Sequence, residues 1–187
     1  MAMKKLTIFI FYLLSSFSPY AQATWGAYSA LIDPSSYEGK RFRLEATVRA
    51  EIENDSAAAR IWARVDAKLL GTVFYENMYD RPIRHTDWKT YMIEGYIGKD
   101  AVKLAFGASF SYKGSFYFDD FKLFIEQKPG LWELVFEDSF EKADRSAWKS
   151  GIRRWEETGY GINDLFQVER SEANPYSGRH CLKVSRY

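Results

Sequence analysis

The stretch KRFRLEATVRAEI, residues 40–52, decides the fold class of this chain. Apolar residues occupy every even position from Phe42 to Ile52, and polar or charged residues occupy the odd positions between them. Because side chains of a β-strand point alternately to opposite faces, this period of two predicts a strand with one buried face. A helix would instead need apolar residues at spacings of three and four.

Further segments downstream carry strand patterns, and polar or glycine-containing stretches separate them. They are residues 58–67, 72–76, 88–97, 101–108, 115–126 and 131–140, followed by a strand after the Pro-Ser-Gly turn at 175–178. No amphipathic helix lies between the first six, although a turn of helix is expected at 142–148. The pattern predicts an all-β protein, an antiparallel β-sandwich of jelly-roll type.

Residues 1–23 have the features of a secretory signal peptide. Lys4 and Lys5 precede an apolar run at 6–14, and an Ala-x-Ala pattern ends at Ala23. The apolar run is too short to span a bilayer. We therefore expect export to the periplasm or the medium, with no transmembrane segment after signal cleavage.

Charge and cysteine content exclude some functions. Loss of the two signal lysines changes the formal net charge from +1 to −1, and such a near-neutral chain lacks the unbalanced basic charge that nucleic-acid binding needs. Cys181 is the only cysteine, so no internal disulfide can form.

Four stretches carry a likeness to a known family: YEGKRFRLEATVRAE, ARIWARVD, FYENMYDRPIRHTDWKTYMIEGYI and VKLAFGASFSYKGSFYFDDFKL. They resemble the galactose-binding-like, carbohydrate-binding-module-like jelly rolls that accompany catalytic domains in exported bacterial hydrolases. The likeness is greatest to the accessory domains of tail-specific serine peptidases and erythromycin-esterase-like proteins. It implies a galactose-binding-like jelly-roll module at residues 24–127.

The order of the segments departs from that family. The resemblance implies that a Phe-Glu pair, a Trp-containing loop and a Pro-Ser-Gly strand should precede Tyr37. Here similar segments follow it, as Phe140-Glu141, a Trp at 148 or 155, and NPYSGRHCLKV. Residues 128–187 are therefore either the start of a second similar module or permuted strands that complete the first.

The polar face of ARIWARVD is the strongest candidate ligand site. Trp62 lies between Arg60 and Arg64 on the face opposite the apolar positions. A solvent-facing Trp can stack on a sugar ring while arginines hydrogen-bond its hydroxyl groups, and Tyr75 on the next strand would extend this platform. We predict that these four residues bind a glycan or polysaccharide. The alternative is that Trp62 packs under a loop or against a neighbouring domain.

The FDDF motif is a candidate metal site. Asp119 and Asp120 fall on opposite faces of an apolar strand, so one of them needs a buried partner. In the family that the chain resembles, an Asp of this late strand helps to hold a structural Ca²⁺ together with a Glu, which here corresponds to Glu141. The alternative is a hydrogen-bonded buried carboxylate.

The sequence indicates no catalytic centre. His85 has no accompanying nucleophile motif, and adjacent His180 and Cys181 should point to opposite faces of a strand. We therefore expect a non-catalytic exported accessory module that binds carbohydrate. The alternative is a spacer or docking domain for an adjacent hydrolase domain, in which case this chain is a fragment of a multidomain serine hydrolase or peptidase and the parent protein is the enzyme.

Overall fold

The structure is a computed structural model that describes residues 24–144, 146–150 and 165–186. The expected signal peptide at 1–23 lies outside these residues. The described residues form two antiparallel sheets that pack face to face around one apolar core. This arrangement confirms the predicted all-β sandwich.

The strands are numbered in chain order. They are β1 (Trp25–Ile32), β2 (Arg41–Ile52), β3 (Ala58–Ala67), β4 (Gly71–Glu76), β5 (Lys89–Tyr96), β6 (Ala101–Ser111), β7 (Gly114–Lys128), β8 (Leu131–Asp138), β9 (Trp148–Ser150), β10 (Gln167–Ser171) and β11 (Cys181–Arg186). The first sheet has the order β4-β3-β6-β1-β9, and the second has the order β10-β11-β7-β2-β5, with β8 also paired to β7. Ser35–Tyr37 forms a short 3₁₀ helix. Among the described residues, no helix has the length and apolar character needed to cross a membrane.

Strand β2 has the predicted alternation. Its inward side chains are fully buried: Phe42, Leu44, Ala46, Val48 and Ala50. Full burial of a large apolar side chain contributes about 1.5–3 kcal/mol to folding. On the opposite face of β2, Thr47 and Arg49 are also buried, and the Arg49 guanidinium packs 3.6 Å from the ring centroid of Tyr117. Both faces of this part of the sheet are therefore covered.

The strands after residue 130 pair with strands from the first part of the chain. Residues 114–118 of β7 pair with β11, and residues 121–128 of the same strand pair with β8. Strand β2 occupies the other edge of β7, so β11 and β8 lie end to end along one edge. The described residues on either side of position 128 thus share the same two sheets.

The helical turn expected at 142–148 is absent from the described residues. Residues 142–143 form a bend and residues 146–147 a turn, and Trp148 begins strand β9, which pairs with β1. The reason is the burial of Trp148, whose indole stacks on the Tyr28 ring with centroids 5.2 Å apart. Its Nε1 also donates a hydrogen bond of 2.7 Å to Oδ2 of Asp138.

Candidate ligand-binding cleft

A cleft of about 550 Å³ lies on the outer face of the first sheet. Strands β3, β6 and β1 form its floor, where Arg60 is in register with Ser109 and Ser109 with Ala27. Ser111 continues the same face of β6. Because β6 and β1 present small side chains between larger ones, the surface is concave here.

Four partly exposed aromatic side chains surround this floor: Trp25, Tyr75, Tyr79 and Tyr112. Tyr75 and Tyr79 have exposed fractions of 54% and 79%. Tyr112 follows the end of β6, and its backbone N–H donates a 2.6 Å hydrogen bond to the carbonyl of Thr24, at the start of β1. The cleft therefore combines apolar ring faces with hydroxyl groups at the ring tips.

Two arginines also line the cleft. Arg60 extends from β3, and its Nη1 donates a 3.3 Å hydrogen bond to Oγ of Ser111. Arg84 lies in the segment between β4 and β5, where its Nε donates a 3.3 Å hydrogen bond to the carbonyl of Ala57. The guanidinium of Arg60 lies 5.8 Å from the ring centroid of Tyr79, so cationic and aromatic groups are interleaved.

The expectation that Trp62 faces solvent is wrong. Its side chain is only 2% exposed and packs with Ala27 and Ala105. Trp62 is opposite Gly107 in register, and its Nε1 donates a 3.1 Å hydrogen bond to the carbonyl of Ala108. The indole therefore reaches across β6 and contributes to the floor of the cleft, where it cannot offer a ring face to a sugar.

Arg64 does not line the cleft. Its Nε pairs with Oδ1 of Asp66 at 2.6 Å, and Asp66 also binds Lys103 and Thr72. Because this network uses the Arg64 guanidinium, the side chain is held away from the predicted platform. The structure thus places Arg60, Trp62 and Tyr75 at one cleft and excludes the fourth residue of the predicted group.

The exposed aromatic and cationic residues of the cleft that were not predicted are Trp25, Tyr79, Arg84 and Tyr112. Trp25 lies two residues beyond the expected signal cleavage point, in a strand of mostly small residues whose alternation is weak. Tyr79 and Arg84 belong to NMYDRPIRH, where the density of aromatic and cationic residues was the available signal. Their proximity to β3 depends on the fold and could not be deduced from spacing.

The predicted metal-binding residue Asp119 is fully buried and bound to backbone amides. Its Oδ2 accepts hydrogen bonds of 3.1 Å from the N–H groups of Tyr176 and Ser177, and its Oδ1 accepts one of 2.8 Å from Asp120. Burial raises the pKa of Asp119 to about 6, against the lowering effect of these donors. The geometry is that of a hydrogen-bonded buried carboxylate.

Asp120 and Glu141 bind the same segment, residues 176–180. Oδ1 of Asp120 accepts a 3.1 Å hydrogen bond from Oγ of Ser177. Oε1 of Glu141 accepts from the backbone N–H groups of Arg179 and His180 at 2.8 and 2.9 Å, and these bonds lower the pKa of Glu141.

The three predicted metal ligands are thus engaged with the protein itself. The described residues contain no group of three or more His, Cys, Asp or Glu side chains arranged to hold a metal ion. Protein donors already bind most of the carboxylate oxygens of Asp119, Asp120 and Glu141 that a Ca²⁺ ion would need. A structural Ca²⁺ remains a prediction.

His85 has two hydrogen-bond partners within the protein, and Cys181 is buried. The Nδ1 of His85 lies 2.8 Å from the carbonyl of Asp87, and its Nε2 bonds the Tyr91 hydroxyl. Cys181 is buried, and burial is the main cause that raises the pKa of its thiol to about 12. A thiol of this kind is almost entirely protonated near neutral pH and is a poor nucleophile.

No protein-family model matches this chain, and no curated protein is significantly similar to it. The resemblance to galactose-binding-like modules therefore stays a prediction.

Proposed function

We propose that this chain is a non-catalytic, exported accessory module that binds carbohydrate in the cleft over the first sheet. The observation that carries the proposal is the ring of four partly exposed aromatic side chains around a concave, polar floor. Exposed aromatic side chains grouped in one concavity are uncommon on a surface that has no binding role.

The cleft matches the chemistry of a sugar. The C–H face of a sugar ring packs on an aromatic ring, while its hydroxyl groups need hydrogen-bond donors and acceptors at the edge. Here Tyr75 and Tyr79 supply ring faces, and Ser109, Ser111 and Asn77 supply polar groups. The volume of about 550 Å³ falls within the range of roughly 300–1,000 Å³ that is usual for small-ligand sites.

We place the strands of residues 128–187 in the same galactose-binding-like module as residues 24–127. The pairing of β8 and β11 with β7, and of β9 with β1, supports this assignment.

The proposed non-catalytic role is supported by the hydrogen-bond partners of His85 and by the burial of Cys181.

The test is binding of the purified protein to an array of glycans and polysaccharides, followed by titration calorimetry on the best ligand. Tyr75→Ala should weaken binding several-fold, because loss of an aromatic contact removes roughly 0.5–1.5 kcal/mol. Tyr96→Ala is the matched control, since Tyr96 has the same exposed fraction of 54% but lies on β5 of the other sheet.

Equal losses in the two variants would show that the cleft is not the binding site. An array without any binding would overturn the proposal and leave the alternative, a domain that docks or spaces an adjacent hydrolase domain.

A further inference from the structure

Arg60 and Arg84 are held beside each other by the backbone of the cleft. Ile83 and Ala59 exchange two backbone hydrogen bonds, of 2.9 and 3.0 Å. This bridge fixes the position of the next residue on each side, which is Arg60 on β3 and Arg84 in the connection between β4 and β5. Both guanidinium groups line the same cleft, so their positions are a consequence of main-chain structure and not of flexible surface loops alone.

The protein partners of these two arginines are neutral. Arg60 bonds the Ser111 hydroxyl and lies over the Tyr79 ring, and its Nε has no acceptor among the described residues. Arg84 bonds the carbonyl of Ala57. Within the described part of the chain, no Asp or Glu lines the cleft.

Five other arginines of this protein pair with carboxylates. Ion pairs are formed by Arg41, Arg43, Arg49, Arg64 and Arg81. Arg60 and Arg84 form none with the described residues, although the chain has nearly as many acidic as basic residues. Arg60 and Arg84 therefore bring two positive charges without a carboxylate partner among the described residues into one cleft.

The electrostatic state of the cleft favours an incoming anion. Burial lowers the pKa of Arg60, and the charge of Arg84 lowers this pKa further. Arg60 nevertheless stays protonated near neutral pH, because guanidinium is effectively always charged in proteins. A bound anion would offset the repulsion between the guanidinium groups of Arg60 and Arg84. It would also accept charge-assisted hydrogen bonds from them in place of the water that burial excludes.

We infer that the saccharide bound in the cleft is acidic, and that Arg60 and Arg84 bind its carboxylate or sulfate group. The inference rests on the proposed function, since it names the class of carbohydrate for the same site. A planar guanidinium donates two parallel hydrogen bonds to a carboxylate or a sulfate, which gives both affinity and orientation. The aromatic rings of Trp25, Tyr75 and Tyr112 then contact the sugar that carries the anion.

The test compares charged and neutral forms of the same polymers by titration calorimetry at low salt. One pair is oligogalacturonate and its methyl ester, and the other is dextran sulfate and dextran; the two pairs distinguish a carboxylate from a sulfate ester. A charged form should bind at least tenfold more tightly than its neutral match. Arg60→Gln and Arg84→Gln should each weaken that binding roughly tenfold, as expected for loss of a hydrogen bond to a charged group.

Arg64→Gln is the matched control, because Arg64 is on the same strand but pairs with Asp66 outside the cleft. Thermal unfolding and circular dichroism of each variant establish that the fold is intact, and two independent cleft variants guard against failure of one to fold. The inference is supported if at least one charged polymer binds both cleft variants more weakly than it binds the unsubstituted protein. The same polymer should bind Arg64→Gln as tightly as the unsubstituted protein.

Three results would overturn the inference. Equal binding of charged and neutral forms, with Tyr75→Ala still harmful, would leave the proposed function standing and remove the acidic class. Equal losses in Arg64→Gln and Arg60→Gln would indicate nonspecific charge attraction. Binding of none of the four polymers, together with an empty glycan array, would remove the inference and the proposed function together.

Discussion

Two polar regions of this molecule differ in how many of their polar atoms have hydrogen-bond partners within the protein. One is the cleft over the first sheet. The other is the junction between the end of β8 and the start of β11, which contains three carboxylates. At the junction, Asp119, Asp120 and Glu141 accept hydrogen bonds from residues 176–180, and Asp119 also accepts one from the backbone N–H of Asp120. In the cleft, two arginines have neutral partners and four aromatic rings remain partly exposed.

This difference favours a structural role for the junction and supports the proposed binding role of the cleft. Buried polar groups are costly unless they are hydrogen-bonded, so the saturated junction stabilises the end-to-end placement of β8 and β11 along β7. The cleft leaves polar and aromatic groups available to solvent, and a ligand can satisfy them.

The largest effect is expected for Trp62→Ala in the cleft floor. The indole is almost fully buried and bonds the carbonyl of Ala108, so its removal leaves a cavity and should lower the free energy of unfolding by about 3–5 kcal/mol. Tyr75→Ala, at an exposed wall, should change it by less than about 0.5 kcal/mol. Urea unfolding measures both. A Trp62→Ala variant as stable as the unsubstituted protein would contradict the structural role of the floor.

The second prediction concerns the pH dependence of the junction. Burial raises the pKa of Asp119 to about 6, above the ordinary value near 3.9 expected in the unfolded chain. The folded state therefore binds this proton more tightly, and its contribution to stability is full below about pH 4 and is lost as the pH rises through about 6. The loss should approach about 3 kcal/mol, because each pKa unit corresponds to about 1.4 kcal/mol.

The variant Asp119→Asn isolates this proton because it cannot ionise. Urea unfolding of both proteins from about pH 4 to about pH 7 should show the unsubstituted protein losing stability relative to the variant. Asp55→Asn is the control, because Asp55 is an exposed carboxylate outside the junction. Parallel stability curves for the unsubstituted protein and Asp119→Asn would refute the prediction.

The third prediction concerns the close approach of β1 and β6 under the cleft. A Cβ added at Gly107 would lie 2.1 Å from the carbonyl oxygen of Tyr28, so Gly107→Ala must push the two strands apart. We expect a loss of about 1–3 kcal/mol in the free energy of unfolding, together with weaker saccharide binding. Gly98→Ala is the control, since its nearest neighbour would be the Val73 side chain at 4.0 Å. Equal stability of the two variants would count against this packing.

The sequence predicted the scaffold better than the site. The alternation of Phe42 to Ile52 established the strand and its buried face, because burial of one face imposes a period of two on the sequence. The same rule put Arg60 and Trp62 on the outer face of β3. It could not indicate that the indole lies across Gly107, since that contact depends on the register between β3 and β6.

The connections explain most of what sequence reasoning missed. Tyr79 and Arg84 reach the cleft because Ile83 bridges to Ala59 across a long separation in sequence. Asp119 was expected to need a partner, but the backbone amides of Tyr176 and Ser177 could be identified only after β11 was placed beside β7. Strand alternation carries no information about such contacts between loops.

The smallest effect on stability is expected for Tyr79, which is 79% exposed. Tyr79→Ala should change the free energy of unfolding by less than about 0.5 kcal/mol, yet weaken saccharide binding several-fold. The ring, which lies over the Arg60 guanidinium, supplies a stacking surface for the sugar, and loss of an aromatic contact removes roughly 0.5–1.5 kcal/mol of binding free energy. Tyr79→Phe keeps the ring and should keep most of the affinity. If Tyr79→Phe instead loses as much affinity as Tyr79→Ala, the hydroxyl group is the binding element, and the walls of the cleft act through hydrogen bonds and not through their ring faces.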